Sequence, residues 1–245
     1  MEKKKIFNLF KRVIFIALIV IFITVGLTIM LKYEVEGEKS LPYEIDKILM
    51  VSTVDGDFTE DEQYIWNINV TEINDLYIYI DSKEETDETI KQITIENFNL
   101  VRAPQKGNVK IYRPTADLDN LYTYSEQDYL NDKIVYTGGK IDDMKSLEIA
   151  NNGGILGFRL ALEDLGRYLS NEDEEIIYDG RLLQNLGVSL EEIKLQLSFD
   201  IIIETNSNIK YKGSLSMEMP TDEIIEKGSS KIELTDFSNV IFKRI

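Results

Sequence analysis

The sequence predicts a mainly-β protein: an antiparallel β-sandwich of Ig-like or jelly-roll type, preceded by one N-terminal transmembrane helix. Three observations predict it. Val13 to Leu31 is a run of 19 residues without a charge. Beyond it, short stretches alternate apolar and polar residues with a period of two, separated by clusters of Asn, Asp, Gly and Ser. No Pro-, Gly- or Ser-rich linker divides residues 43–245, so a single domain of about 200 residues is expected there, with a split near Gly138–Asn151 as the alternative. The chain thus reads as a basic cytoplasmic tail (1–12), a transmembrane helix (13–31), an acidic stalk (32–42) and an extracytoplasmic β-rich domain (43–245).

The anchor comes first in the chain. At ~1.5 Å rise per residue, a 19-residue helix spans roughly 28 Å, close to the hydrocarbon thickness of a bilayer. Thr24 and Thr28 can return their hydroxyls to carbonyls one turn earlier, so they sit in lipid at little cost. Residues 1–12 carry five basic residues and one acid, and basic flanks stay on the cytoplasmic side. The remainder is expected outside. A cleaved signal peptide is the alternative, but the apolar run exceeds the usual ~7–15 residues of a signal core and no small-x-small site follows Leu31.

The strands follow. Tyr64, Trp66, Ile68 and Val70 share one face, as do Leu76, Ile78 and Ile80, and the polar stretch Glu72–Asp75 between them reads as a turn. Further strands are expected at 45–53, 89–100, 108–112, 133–137, 146–150, 155–162, 231–234 and 239–243. In 89–100 the phase slips, and one extra residue near Glu96–Asn97 predicts a β-bulge. Leu195–Glu204 and Lys210–Met219 alternate around Asn206-Ser207-Asn208 and predict a hairpin with lysines opposite acids on its outer face. Leu160, Leu162, Leu165 and Leu169 predict an inward-facing helical turn broken by Gly166. Short helices are expected at 179–186 and 189–194, with Gly187 closing the first. A Ser189–Glu192 capping box should open the second, with Val188 and Ile193 as its hydrophobic staple.

Composition excludes several chemistries. The 245 residues include no histidine and no cysteine, so there is no disulfide, thiolate nucleophile, imidazole or thiolate zinc site, or Ser-His-Asp triad. The net charge is −17, and removing the basic tail leaves −21 on residues 32–245. A nucleic-acid surface needs clustered Lys and Arg, so nucleic acid is not an expected partner.

Candidate chemistry is thin. Asp55, Asp57, Glu60, Asp61 and Glu62 form an acid run like a calcium loop, but Glu60 stands where an EF-hand needs Gly and Trp66 where it needs Glu. They remain the candidate metal ligands, with a solvated acidic surface as the plainer reading. Ser207-Asn208-Ile209-Lys210 matches S-x-x-K but lies in the expected hairpin turn, and no K-T-G accompanies it. Gly153-Gly154-x-x-Gly157 lacks the order of a phosphate loop and reads as close backbone approach at a strand entry. Tyr77, Tyr79, Tyr122, Tyr124 and Tyr129 are candidates for a binding face; cross-strand packing is their simpler role. No catalytic residue and no cofactor is assigned.

The segments LKYEVEGE (31–38), NNGGILGFR (151–159) and SFDIII (198–203) make the chain resemble single-span exported proteins of low-GC Gram-positive bacteria whose function is not assigned. The resemblance implies an envelope location and carries no site residue. The expected function is a membrane-tethered, non-enzymatic binding module with an envelope protein partner. The alternative is an envelope hydrolase using paired carboxylates, with or without calcium.

Overall fold

A computed structural model describes residues 2–36, 41–60, 65–83, 86–115, 123–139, 147–171, 181–220 and 223–245. The chain opens with helix α1 (Glu2–Glu36). Its stretch Lys11–Met30 is long and apolar enough to cross a membrane and is exposed along its length. Thr24 Oγ1 donates to the Val20 carbonyl and Thr28 Oγ1 to the Thr24 carbonyl, both at 2.8 Å, as the sequence predicts. The helix continues through Glu36, so the expected stalk begins as helix.

Among the described residues the rest is mainly strand: β1 (Tyr43–Glu60), β2 (Ile65–Ser82), β3 (Ile90–Arg102), β4 (Asn108–Tyr112), β5 (Ile134–Gly139), β6 (Glu148–Ala150), β7 (Gly153–Asn171), β8 (Leu195–Thr205), β9 (Lys210–Met219), β10 (Ser229–Leu234) and β11 (Lys243–Arg244). The short helices are α2 (Leu182–Asn185), α3 (Leu190–Ile193) and α4 (Glu223–Lys227). The strands form one sheet in the order β10-β1-β2-β7-β6-β5-β3-β8-β9-β11, with β4 also paired to β7. Every pairing is antiparallel except β5 with β6. The mainly-β class and the apolar helix are therefore present. The strands pair as one mixed sheet, in which the short strand β6, parallel to β5, joins two halves edge to edge; this pairing does not establish an Ig-like or jelly-roll type.

That sheet curls on itself. β7 and β8 are four strand positions apart, roughly 19 Å on a flat sheet. Yet Phe158 of β7 and Phe199 of β8 meet edge to face with ring centroids 5.4 Å apart, and Phe98 of β3 lies 5.5 Å from Phe158. The main core fills the space between the two halves, with Ile48, Leu76, Ile78 and Phe158 from one and Ile93, Tyr136, Phe199 and Ile201 from the other. A second, smaller core lies at the far end of β2 and β7. There Ile68, Val70, Leu162 and Leu165 pack under Leu182, Leu183, Val188, Ile193 and Ile224 of the helical segment.

Two predicted breaks are absent. The expected turn at Glu72–Asp75 is the middle of β2, which runs unbroken from Ile65 to Ser82. Glu72 and Asn74 keep the inward phase of Val70 and Leu76 and hydrogen-bond one another in the interior, so the strand passes through. The expected helical turn at 160–169 is strand β7. Val70 lies opposite Gly166 and Glu72 opposite Leu162, so β7 carries two extra residues there, with Asp164 at φ 59°. This irregularity turns both Leu162 and Leu165 inward, and their spacing of three imitates a helix.

Other expectations are met in detail. Glu96 pairs with Asp200 and Asn99 with Ser198, which places one extra residue in β3 at the expected bulge, where Asn97 has φ 57°. The hairpin β8–β9 pairs Leu195 with Met219 and Glu204 with Lys210; outside it, Lys212 lies 2.8 Å from Asp200 and Lys210 3.2 Å from Glu204. Ser189 and Glu192 form the capping box of α3, and Gly187 follows α2 with φ 65°. Of the expected strand 239–243, only Lys243 joins β11.

Candidate functional site

The outer face of β1, β2, β7 and β4 carries a cleft of about 530 Å³. Register places its residues. Odd-numbered positions of β2, and of β1 beyond the register shift at Ile45–Lys47, face outward; there Asp55 lies opposite Thr71 and Asp57 opposite Asn69. Across the next pairing Ile73 lies opposite Ala161 and Asp75 opposite Arg159; beyond that, Arg159 lies opposite Tyr112. Tyr124, Ser125 and Glu126 complete the lining from the segment that reaches back to Pro114 through a single β-bridge. The result is a sheet-built surface with acids toward β1 and tyrosines toward β4.

Arg159 organises one end. Its Nε donates to Asp75 Oδ1 at 2.7 Å and its Nη2 to Asp75 Oδ2 at 2.9 Å. Directly opposed residues with outward side chains are the natural partners for such a fork. The guanidinium also lies 4.0 Å from the centroid of the Tyr124 ring. Burial, reinforced by Asp75, pushes the Tyr124 phenol well above its ordinary value. At the other end Tyr112 donates a short hydrogen bond to Glu163 Oε1, while Lys110 Nζ sits 2.6 Å from Glu163 Oε2. Burial first, and Glu163 second, push Tyr112 up to about 12. Both phenols stay neutral at physiological pH and offer hydroxyls and ring faces.

Among the described residues the lining holds Asp55, Asp57, Glu126 and Glu163 against Arg159, itself held by Asp75, and Lys110 beside it pairs with Glu163. The face is acid-rich and suited to a ligand with ammonium or guanidinium groups, which tyrosine faces also receive.

The structure brings some predicted residues together and not others. Asp55 and Asp57 line the cleft on a strand, not a loop; Glu60 ends β1, and Asp61 and Glu62 lie outside the described residues, as does Tyr122. Among the described residues no three acids come close enough to hold a metal ion. Tyr124 lines the cleft, whereas Tyr129 is buried in the main core. Tyr79 stacks under Lys47 Nζ at 4.8 Å, and Tyr77 packs over Gly157, the cross-strand role expected of them. Ser207 donates to both oxygens of Glu88, at 2.7 and 2.9 Å, in the exposed hairpin turn, and Lys210 turns to Glu204, so the S-x-x-K pair shares no site. A Cβ at Gly153 would lie 2.4 Å from the Ile80 carbonyl, which accounts for the glycine by close approach.

Arg159, Tyr112 and Glu163 escaped the sequence reading. They are scattered over two strands, and only the register unites them with Asp55. Comparison with protein-family models, curated proteins and solved structures returns no match. Class therefore rests on fold and site: a mainly-β protein with an N-terminal helix of membrane-span length and an acid-rich cleft on one sheet face.

Proposed function

We propose that this is a membrane-tethered binding module of the cell envelope, with residues 43–245 outside, whose cleft holds a basic segment of a protein partner. The observation that carries the reading is the cleft itself, a concave surface with four carboxylates, of which Glu163 is paired with Lys110, two tyrosines and an arginine paired with Asp75. The charge of −21 beyond the anchor favours such a partner over polyanionic wall polymers or lipid headgroups. A general-acid hydrolase needs a carboxyl held protonated where the substrate binds. Among the described residues the carboxyl pushed up by burial is Glu72, and it faces the interior rather than the cleft.

The test is titration of the full chain in nanodiscs with a lysine-rich peptide and with its neutral counterpart. The basic peptide binds and the neutral one does not. Asp55→Asn with Asp57→Asn weakens binding by about tenfold, as expected when two charges near a ligand each contribute ~0.5–1 kcal/mol. Glu223→Gln with Glu226→Gln on α4, an equal change of charge on the opposite side of the sheet from the cleft, leaves it unaltered. Equal losses from both pairs would show attraction to overall charge and end the proposal.

A further inference from the structure

Two carboxyl side chains are buried among the described residues, Glu72 and Glu204, and they are treated differently. Glu204 is met by Lys91 at 2.6 Å and Lys210 at 3.2 Å. Glu72 has no cation among the described residues. Its Oε2 accepts from Asn74 Nδ2 at 2.8 Å, Asn74 Oδ1 accepts from Ser52 Oγ at 2.5 Å, and Glu72 Oε1 finds no partner. Ser230 of β10, opposite Ser52, is buried with its hydroxyl also unpartnered.

These polar groups occupy a waist. Along the inner face of β2 the order is Ile80, Ile78, Leu76 in the main core, then Asn74 and Glu72, then Val70 and Ile68 in the smaller core. The surrounding positions are uncharged: Ser52 and Val54 on β1, Leu160 and Leu162 on β7, Ser230 on β10, Leu182 and Leu183 on α2, Ile193 on α3 and Ile224 on α4. The charged residues of the same elements lie elsewhere. Asp55 and Asp57 of β1, Asp75 of β2, and Arg159 and Glu163 of β7 take the outer sheet face. Asp164 of β7 is exposed, as are Lys231 and Glu233 of β10, Glu191 of α3, and Glu223, Glu226 and Lys227 of α4, while Glu192 of α3 is held by its capping box. The two extra residues of β7 interrupt the ladder beside Glu72. Thr71 and Ile73, its neighbours on the strand, line the cleft on the other side.

We propose that Glu72 is a proton latch beneath the cleft. With its carboxyl protonated, the waist stays dry and β1, β2 and β7 hold the cleft residues in register. Loss of the proton draws water in at the interrupted ladder, loosens the α2–α4 layer from the sheet, and disperses Asp55, Thr71 and Glu163. A buried carboxylate without a cation is costly, and the smaller core is the weaker of the two units it joins. Burial pushes the carboxyl up to about 8, so the latch opens on the alkaline side. Its role as a control on binding rests on the cleft being the ligand site.

Hydrogen exchange of the full chain in nanodiscs, corrected for intrinsic rates, tests it at pH 6 and pH 9. Protection over 67–75, 182–193 and 223–227 falls by about tenfold or more in the wild type, while 195–203 and 211–219 keep theirs. Glu72→Gln abolishes the difference. Unchanged protection in the wild type, or the same fall in the variant, overturns the latch. Infrared spectroscopy of the wild type needs no variant to fold: a protonated carboxylic-acid carbonyl band is present at pH 7 and gone by pH 10, and its absence at pH 7 overturns the proposal equally. Neither readout uses a ligand, so a cleft that binds no basic peptide leaves both results standing, and a failed latch leaves peptide binding at pH 6 untouched.

Discussion

Arg159→Met removes the guanidinium that ties the cleft together while keeping much of the apolar stem. Two charge-assisted hydrogen bonds to Asp75 are lost, at 2.7 and 2.9 Å. In a pair whose side chains are 24% and 16% exposed, they are worth about 1.5–3 kcal/mol. The Tyr124 contact at 4.0 Å adds about 0.5–1 kcal/mol. The expected loss is therefore roughly 2–4 kcal/mol, read by urea unfolding of the full chain in detergent. Asp75→Asn should cost a similar amount, and the double variant clearly less than the two losses combined, because the second substitution removes a partner already stranded. Binding gives a second reading. Arg159→Met leaves Asp75 uncompensated and makes the cleft more negative, so charge alone predicts tighter binding of a basic peptide. A positioning role predicts weaker binding, because Tyr124 loses its seat. A loss below about 1 kcal/mol with no coupling to Asp75, or tighter peptide binding, would refute the positioning role.

Two further outcomes concern the interior. Glu72 has a folded-state pKa of about 8 against an ordinary 4.5. The folded state thus holds the proton more tightly, and the associated stability is complete below pH 4.5 and lost as pH rises to about 8. At 1.36 kcal/mol per pKa unit the loss amounts to about 4–5 kcal/mol as an upper bound. Denaturant titrations from pH 5 to pH 9 should show that slope in the wild type and lack it in Glu72→Gln; parallel profiles for the two proteins would contradict it. Phe158→Ala should cost about 3–5 kcal/mol, since the ring is fully buried and touches both Phe98 and Phe199. A cost under about 1.5 kcal/mol in chemical denaturation would mean that the two halves of the sheet do not share a core.

Where local chemistry decides, the sequence was readable. An uncharged run of membrane length, the β8–β9 alternation, the bulge at Asn97 and the Ser189–Glu192 box each depend on residues close together in the chain. Misreadings occurred where tertiary contacts override local signals. Glu72 and Asn74 look like turn residues, but they hydrogen-bond one another inside the sheet. Leu162 and Leu165 look helical because a β7 irregularity turns both inward. Helix α4 was missed, being a single turn whose apolar Ile224 enters the smaller core. The cleft was half visible. Asp55, Asp57 and Tyr124 stand out in the sequence, but Arg159, Glu163 and Tyr112 are united with them only by the pairing of β2, β7 and β4.

The first strand after the tether is also among the longest. β1 runs from Tyr43 to Glu60, roughly 60 Å of extended chain, bonded to β2 along its length and to β10 over its middle. On the proposed reading, tension from the membrane side enters at Tyr43 and runs along the strand axis toward Asp55 and Asp57. Under that load the inter-strand bonds stand crosswise to the pull and share it in shear, instead of opening one after another like a zipper. If the domain is tethered and holds a partner as proposed, this geometry lets it resist rupture between the two.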